Sequence, residues 1–547
     1  MVNNNEGQSG ARGTGSQTFF EHKVWSPGWL WAAVGLILAG YLSAALLFAL
    51  NTPAWQAPDE PAHYNYVAHI ASGQGLPILD VGDYDQAYLR ALVENRFPPS
   101  HPIEPIQYES HQPPLYYISA APVYWLADGR LIFLRLYNVL LGAGVLLLIF
   151  LIVHTIFPDR PTISLGSMAL AAFLPMHVAM MAAVNNDALA ELLIAATVLA
   201  LVRWMRAQDR GQAHPRHLLT VGGLMGLALV TKSTTYILLP LVLLTILGVC
   251  RKRLNAQDAQ ALATNLLLAL LPALVIAAPL WLRNMTLYGG VDFLGLKWHD
   301  AVVLGQPRTA EWIALNGLGA YWDRAVDFTF KSFWGVFGWM GIFMDGRVYL
   351  ALTIFTGVLF LGGLWAAIRM VLGWPDSELD RFQLQSVAVL ALLFLGALAG
   401  YVWYNLGFVQ HQGRYLFPGL SGIAFFMALA WREVLRPAQG AVTGLLVGVL
   451  TLAVGAVGWL TGNLDKWLLL FTGLTGVLLL VQSAAGTLVQ RAQVDSGLGQ
   501  LIHRPWVRWP LTAVSSVAWL TPFLLLYLLD LAIPFAYILT QVGGVNG

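Results

Sequence analysis

Charged residues are scarce in this sequence: of its 547 residues only 11% are Asp, Glu, Lys or Arg, while 57% are hydrophobic. With a mean hydropathy of +0.63, this composition excludes an ordinary soluble globular protein. The formal net charge of +1 shows no excess of basic residues of the kind that binds nucleic acids, so no nucleic-acid partner is expected. The single cysteine, Cys250, excludes an internal disulfide, and its position inside an apolar run is typical of a packing residue.

Long apolar runs fill most of the chain. About 13 of them are long enough to cross a hydrocarbon core, which takes about 20 residues as a helix. They lie at approximately 29–50, 131–156, 162–183, 188–205, 217–231, 233–250, 261–284, 349–370, 384–405, 414–433, 440–461, 466–489 and 511–538. Because a helix satisfies its own backbone hydrogen bonds in lipid, the sequence predicts an all-α polytopic membrane protein.

Composition divides the chain into three parts. Residues 1–24 are polar and rich in Gly, Ser and Asn, which predicts a disordered cytoplasmic tail and not a signal peptide, since a full membrane-length run follows. Residues 25–440 form the expected transmembrane module, with two long connections at about 51–129 and 285–348. Residues 441–547 are expected to add further C-terminal transmembrane helices.

Basic residues concentrate in the short loops opposite the two long connections. These loops hold Arg160, Arg203, Arg206, Arg210, Arg216, Arg251, Lys252, Arg253, Arg432 and Arg436. By the positive-inside rule that face is cytoplasmic, so both long connections are extracytoplasmic. This orientation depends on treating the apolar but proline-broken stretch 113–125 as a juxtamembrane helix, because counting it as a span would reverse every later loop.

An acidic pair, Asp59-Glu60, stands between Pro58 and Pro61 just after the first apolar run. The prolines stiffen the backbone and aim the side chains. A solvated turn explains most such pairs. Here the apolar residues after Pro61 recur at helical spacing, which indicates an interfacial helix with the acids at its N-terminus.

Further ionisable residues are expected on the same outer side. They are Glu109 and His111 before Pro113, Asn186 and Asp187 at the start of the fourth apolar segment, Lys232 between two apolar runs, and Arg283, His411 and Arg414 at segment ends. A hydrated linker, helix capping and interfacial snorkelling are the ordinary explanations. Their number on one face favours a site, because polar groups at membrane depth are costly.

Carboxylates and cations together suit one kind of chemistry. A carboxylate can remove a proton from an acceptor hydroxyl or amine, and a cation can stabilise a departing phosphate. Aromatic residues of the second long connection, among them Trp298, Trp312, Trp322 and Trp339, are expected to cover such a site and to stack on sugar faces.

These motifs resemble the type C (GT-C) membrane glycosyltransferases, which use polyprenyl-phosphate sugars. The matching features are Asp59-Glu60, the Pro-Pro-Leu-Tyr-Tyr stretch at 113–117, Asp187 and Thr231-Lys232. Over about residues 29–290 they are similar to the aminoarabinose transferase and protein O-mannosyltransferase branch. The stretches 332–339 and 412–415 look more like an uncharacterised bacterial membrane-protein group related to that branch, and they extend the resemblance to about residue 420.

The resemblance implies a GT-C-like fold in which the outer loops carry juxtamembrane helices. It also implies that Asp59 is the catalytic base and that Glu60 positions substrate or is itself the base. Substrate or phosphate binding then falls to His63, Glu109, His111, Gln112, Asn186, Asp187, Lys232, Arg283, His411 and Arg414. Relatives commonly carry a lysine where this chain has Gln112, so His111, Lys232 or Arg414 is expected to contact the lipid phosphate instead.

The function implied is inverting transfer of a sugar from a polyprenyl-phosphate donor to a glycan, lipid or protein acceptor. It would take place on the extracytoplasmic face of a bacterial-type cytoplasmic membrane, among membrane lipids, with other membrane proteins as further partners. No cofactor is expected; Asp80, Asp83 and Asp85 are typical of a hydrated turn, and metal dependence is left open. The alternatives are a non-catalytic scaffold subunit of the same fold and a transporter of lipid-linked substrates.

Overall fold

The computed structural model describes residues 27–250, 256–373, 379–492, 496–502 and 504–542, so the predicted tail at 1–24 lies outside the described residues. Within them, eleven helices are long and apolar enough to cross a membrane, or twelve if the pair Pro161–Ala172 and Pro175–Met181, bent by 65°, is one span. The all-α polytopic class is confirmed, and the protein is an integral membrane protein. The predicted count of about 13 spans is not confirmed.

Two predicted segments account for the difference in count. The segment at 162–183 is broken by the bend before Pro175, where proline cannot continue a regular helix. The segment at 217–231 is the helix Pro215–Leu229 of 15 residues. At 1.5 Å per residue that helix is about 22 Å long, which is shorter than a typical hydrocarbon core.

Contacts divide the chain into two compact units. The described residues of the larger unit fall within Pro27–Leu352, Arg381–Ala428 and Pro522–Gly547, and those of the smaller within Thr353–Asp380 and Leu429–Thr521. The predicted boundary between residues 440 and 441 stays a prediction. In chain order the apolar helices are Pro27–Asn51, Leu131–Ile156, Pro161–Ala172, Pro175–Met181, Asp187–Asp209, Pro215–Leu229, Leu238–Cys250, Ala256–Tyr288, Gly346–Val371, Arg381–Gly407, Leu420–Val434, Pro437–Thr461, Lys466–Ala492 and Pro505–Ile533.

Short elements complete the apolar part of the chain. Two 3-10 helices precede apolar helices, and a π-helix follows the last long one. In chain order the short elements are Ser233–Ile237, Gly413–Gly419, Ser496–Ile502, Pro534–Ile538 and Leu539–Val542.

The smaller unit contains an antiparallel pair of helices, Pro437–Thr461 and Lys466–Ala492. The two backbones approach closely at Gly444, where an added Cβ would lie 2.9 Å from a Leu480 side-chain atom and 3.2 Å from the Gly476 carbonyl. Small residues at such crossings are typical of membrane helices, because packing replaces the hydrophobic effect in lipid.

The two long connections fold into helices and one small sheet. The first holds Glu60–Ala71, Gln86–Glu94, the 3-10 helix Tyr108–His111 and Leu115–Leu126; the second holds Leu296–Val302, Thr309–Trp334 and the antiparallel strands Val336–Phe337 and Ile342–Phe343. The predicted helix after Pro61 and the predicted juxtamembrane helix are therefore both present. The juxtamembrane helix has 12 residues, which is too short to cross a bilayer.

A hydrophobic cluster joins the two connections. Its buried members Leu92, Ile106 and Tyr108 come from the first connection, and Val303 and the partly buried Trp339 come from the second. The Trp339 Nε1 atom also donates a hydrogen bond of 3.0 Å to the Trp55 carbonyl. This packing fixes the position of Tyr108, which faces the site described below.

Glu60 is fully buried and forms a two-point ion pair with Arg135 of the helix Leu131–Ile156. Arg135 Nε donates to Glu60 Oε1 at 2.8 Å and Arg135 Nη2 to Oε2 at 2.7 Å. The same guanidinium binds the carbonyls of Ala49, Thr52 and Pro53 at the end of the first helix. The Arg135 charge is thus balanced by Glu60, and its N–H groups donate to nearby acceptors in good geometry. A buried ion pair is stable only when both conditions are met.

We expect Glu60→Gln to destabilise the protein by about 3–5 kcal/mol, because it leaves the Arg135 charge buried without its counter-ion. The measurement is thermal or denaturant unfolding of the purified protein in detergent. Glu104→Gln, at an exposed residue of the same connection, is the control and should change stability by less than about 0.5 kcal/mol. Equal stability of both variants would contradict the conclusion that Glu60 stabilises the fold.

Candidate functional site

A cavity of about 1760 Å³ lies in the larger unit, lined by residues of both long connections and of the adjoining helix ends. Eight of the twelve residues predicted for the site line it. They are Asp59, His63, Glu109, His111, Gln112, Asp187, Lys232 and Arg414. Residues separated by more than 350 positions in sequence therefore share one space.

Asp59 occupies the left-handed region, with φ of 65°, directly before the helix Glu60–Ala71. Within the described part of the chain its side chain caps no backbone N–H. Instead Oδ1 accepts a hydrogen bond of 2.8 Å from the Tyr108 hydroxyl, and Oδ2 accepts one of 3.0 Å from Arg414 Nη2. The carboxylate is 31% exposed, so solvent or a ligand in the cavity reaches it.

Arg414 and Tyr108 control the charge of Asp59. Burial raises the pKa of this carboxyl, but the Arg414 charge and the hydrogen bonds from Tyr108 and Arg414 more than offset it, so the pKa lies below its usual range. Asp59 is therefore ionised at neutral pH.

Arg414 is positioned by a close contact between the backbone at Gly413 and the backbone of the helix Thr309–Trp334. The Gly413 N–H donates to Ser332 Oγ at 2.8 Å, and a Cβ at position 413 would clash with the Thr329 carbonyl and the Phe333 amide. Only glycine fits against that helix, which explains the Gly-Arg order of the motif. The guanidinium is nearly buried, and its Nε donates to Gln412 Oε1 at 2.7 Å.

A second ion pair joins Lys232 Nζ to Asp187 Oδ1 at 2.7 Å. Lys232 is extended at the end of the helix Pro215–Leu229, where the Thr235 hydroxyl binds its carbonyl at 2.8 Å. Asp187 begins the helix Asp187–Asp209. Both side chains are partly exposed to the cavity, so the site presents two carboxylate–cation pairs.

The 3-10 helix Tyr108–His111 brings Glu109 and His111 to the cavity. Burial raises the pKa of Glu109. Burial lowers the pKa of His111 to about 4 and that of His299 to about 3, and the two rings lie 4.3 Å apart. Both imidazoles are therefore neutral at neutral pH and supply no cation for a phosphate.

Gln112, where the resemblance led us to expect lysine, belongs to a network of neutral groups. Asn186 Nδ2 donates to Gln112 Oε1 at 3.4 Å and to the Tyr117 hydroxyl at 3.3 Å. His63 Nδ1 and the Tyr117 hydroxyl are 2.8 Å apart, and burial lowers the pKa of His63 although Glu109 acts in the opposite direction. Asn186 thus supports the cavity wall without being one of its lining residues.

Besides Asn186, three further predicted site residues do not line the cavity. Glu60 is bound to Arg135, as described above. Arg283 Nη2 donates to the carbonyls of Leu76 and Pro77 at 3.2 and 2.7 Å, which ties the first connection to the helix Ala256–Tyr288. His411 is buried in a turn where its backbone N–H donates to Asn405 Oδ1 at 2.7 Å. These three residues hold backbone segments in place.

The cavity also contains residues that the sequence analysis did not select. Tyr108 comes from the first connection, and Asp323, Asp327 and Lys331 come from the helix Thr309–Trp334. The last three recur every fourth residue, and this spacing places them on one helix face. Of the aromatic residues expected to cover the site, Trp339 lines the cavity.

Arg135 is another residue that the sequence analysis passed over. It lies near the start of an apolar segment, and an arginine there calls for a carboxylate partner. The cost of burying an unpaired arginine was therefore the sequence signal that could have predicted its pairing with Glu60. As to metals, no group of three or more His, Cys, Asp or Glu among the described residues could hold an ion.

Comparison with known families agrees with the resemblance seen in the motifs. The family model described as "Dolichyl-phosphate-mannose-protein mannosyltransferase" matches residues 111–281. The match contains Gln112, Asp187 and Lys232, whereas Asp59 and Arg414 lie outside it. The match covers less than a third of the chain and agrees with the predicted relation to the GT-C glycosyltransferases. No curated protein matches the chain.

Solved structures similar to this chain include ArnT from Cupriavidus metallidurans bound to undecaprenyl phosphate, at 14% identity and a TM-score of 0.48, covering 93% of this chain and 78% of that one. The Archaeoglobus fulgidus oligosaccharyltransferase tethered to an acceptor peptide matches at 13% identity and a TM-score of 0.47, covering 84% of this chain and 54% of that one. This chain thus spans about half of the archaeal enzyme. At such scores the likeness by itself says nothing about substrate.

We expect Gly413→Ala to destabilise the protein by about 1–3 kcal/mol, because the added methyl group must push apart the backbone of the helix Thr309–Trp334. The measurement is thermal unfolding in detergent. Gly357→Ala is the matched control: a Cβ there meets no atom within 4 Å in the part of the chain that the structure describes, so it should be neutral or slightly stabilising. Equal melting temperatures would contradict the close approach.

Proposed function

We propose that this protein is a glycosyltransferase that moves a sugar from a polyprenyl-phosphate donor to an acceptor, with inversion at the anomeric carbon. Asp59 is the general base, and Arg414 and Lys232 hold the phosphate. The reaction takes place on the extracytoplasmic face, the N-terminus is cytoplasmic, and no cofactor is required. The acceptor is a glycan, a lipid or a protein.

The observation that carries the proposal is the pair of ion pairs, Asp59–Arg414 and Asp187–Lys232, on one cavity. Each of the two cations neutralises a carboxylate. The donor is a phosphodiester with one negative charge, so it shares Arg414 and Lys232 with the two carboxylates, and Asp59 loses part of the interaction that lowers its pKa. The departing polyprenyl phosphate is a monoester with more charge and more acceptor oxygens, so it is a stronger partner for these cations than the donor is.

The reaction then needs one proton acceptor and one anion site. Asp59 takes the proton of the acceptor O–H or N–H while that atom attacks the anomeric carbon. The bond between the anomeric carbon and the phosphate oxygen breaks, and its electron pair remains on the oxygen of the polyprenyl phosphate. The cations stabilise this developing charge.

Arg414 and Lys232 hold the phosphate in this proposal, whereas His111, the third residue expected from the sequence to contact it, does not. His111 Nδ1 lies 3.2 Å from the Tyr108 carbonyl, so that nitrogen carries the ring proton and Nε2 is an acceptor. With its pKa lowered to about 4 by burial, the ring is neutral and has no donor left for a phosphate oxygen.

We expect Asp59→Asn to lower the rate of transfer by about 10²- to 10⁴-fold, since the amide cannot accept the acceptor's proton. Purified protein in lipid vesicles is supplied with labelled undecaprenyl-phosphate hexoses and pentoses and with membranes of the native host as acceptor. Label that moves to new material is counted, and the anomeric configuration of the product is determined by NMR.

Asp323→Asn is the control for this experiment, because Asp323 lines the same cavity but is not one of the two side chains, Tyr108 and Arg414, that bind the Asp59 carboxylate. It should leave most of the activity. If Asp59→Asn transferred sugar at the full rate, the base assignment would be wrong. If the wild type transferred none of the sugars and always copurified with the same membrane proteins, the protein would be a non-catalytic scaffold subunit and not an enzyme.

We expect Lys232→Gln to weaken binding of undecaprenyl phosphate by about tenfold or more, which corresponds to the loss of one charge-assisted hydrogen bond. Adding Gln112→Lys in the same protein should restore part of the affinity, because it places a cation at another residue that lines the same cavity. Binding is measured by tryptophan fluorescence in detergent. Unchanged affinity in Lys232→Gln would remove Lys232 from the phosphate site.

A further inference from the structure

Glu109 has a carboxyl oxygen that the fold leaves unused. The residue lies in the 3-10 helix Tyr108–His111 and lines the cavity. Its Oε2 atom is buried and meets no hydrogen-bond partner among the residues that the structure describes. A buried, ionised oxygen without a partner is costly, whereas a protonated carboxyl can turn its O–H toward a ligand.

The groups that face Glu109 come from several elements. His63 of the helix Glu60–Ala71, Asp59 before it and Lys232 act on it electrostatically, and the Gln112 side chain hydrogen-bonds to it. The phenol of Tyr117 also lies within its electrostatic reach, and so does the phenol of Tyr404. Burial raises the pKa of Glu109 most strongly; the Asp59 charge adds to the increase, and His63 and Lys232 oppose it.

Asp59 and Glu109 therefore share a cavity but have opposite environments. Asp59 has both oxygens occupied by donors, Tyr108 and Arg414, which favour its ionised form. Glu109 has a buried oxygen without a donor, which favours the neutral form. Two carboxyl groups whose surroundings separate their protonation states are the arrangement that divides base and acid roles between them.

We propose that Glu109 is the general acid of the proposed transfer and donates its proton to the departing phosphate oxygen. This inference rests on the proposed function. The acceptor's proton passes to Asp59, the bond between the anomeric carbon and oxygen breaks, and the Glu109 proton moves to that oxygen, giving polyprenyl hydrogen phosphate and a Glu109 carboxylate. One proton is gained by Asp59 and one is lost by Glu109, so exchange with water resets both groups.

The electrostatic link to Lys232 supports this direction of transfer. The Lys232 charge lowers the pKa of Glu109, His63 and His111, so these residues lie within electrostatic reach of the cation that is proposed to hold the phosphate. An ionised Glu109 there would repel the phosphate, whereas a neutral one donates a hydrogen bond to it. Glu109 would thus bind the phosphate in its protonated form and release its proton when the sugar leaves.

The first test uses undecaprenyl phosphate binding as a function of pH, which requires no knowledge of the sugar. Below the raised pKa of Glu109 the neutral carboxyl donates to the phosphate; as the pH rises through it, that hydrogen bond is replaced by repulsion. Wild-type affinity should therefore fall by about 10- to 100-fold over this range, beyond the change due to the ligand's own ionisation.

Glu109→Gln keeps a hydrogen-bond donor but does not titrate, so the extra fall in affinity should vanish. Because ligand ionisation is the same in both proteins, their difference isolates Glu109. Glu104→Gln, at the exposed carboxyl of the same connection, should behave as the wild type. A pH profile identical in wild type and Glu109→Gln would overturn the proposal.

The second test follows transfer itself. Glu109→Gln should lower kcat by about 10²- to 10³-fold with little change in KM, and the alkaline limb of its kcat–pH profile should disappear. If Glu109→Gln failed to fold in a melting experiment, Glu109→Asp would replace it: the alkaline limb should then persist at a lower kcat, and its loss would overturn the proposal.

The two tests separate this inference from the proposed function. If undecaprenyl phosphate binds in a Lys232-dependent way but Glu109→Gln leaves both pH profiles unchanged, the phosphate site stands and the acid assignment fails. If wild-type protein neither binds undecaprenyl phosphate nor transfers sugar, both fail together.

Discussion

The ion pair between Glu60 and Arg135 is the interaction on which the site depends. It ties the start of the first long connection to a membrane helix, and Arg135 also holds the carbonyls at the end of the first helix. Asp59 is the adjacent residue, so its direction is set by that anchor and by its left-handed backbone. Two neighbouring acids thus differ in role because one faces a buried arginine and the other faces the cavity.

The second constraint is the close approach at Gly413. It lets Arg414 reach Asp59 from a helix that begins more than 350 residues later in the chain. The hydrophobic cluster between the two long connections adds Tyr108 to the same carboxylate. Three parts of the larger unit therefore meet at Asp59. A substitution that displaces any one of them should also displace the Asp59 carboxylate.

The sequence predicted the fold class and most of the cavity because both depend on local signals. Apolar runs of membrane length indicate helices, and polar residues at their ends indicate a site. Other features depend on contacts that local signals do not contain. The segment at 162–183 is bent before Pro175. Glu60 and Arg283 do not line the cavity, because partners distant in sequence bind them: Arg135 for Glu60 and the carbonyls of Leu76 and Pro77 for Arg283. Single-sequence patterns contain no information on which side of a turn such a partner lies.

The paired charges of the site affect how any anionic ligand binds. Arg414 and Lys232 are already neutralised by Asp59 and Asp187, so a ligand gains only the difference between its own interaction and the one it replaces. That difference is close to zero for a carboxylate ligand or for a phosphodiester donor, each of which carries one negative charge. It is favourable for the departing polyprenyl phosphate, a monoester with more charge and more acceptor oxygens. The ion pairs therefore favour the leaving group over the donor, and an interaction that strengthens as the bond breaks is the kind that accelerates a reaction.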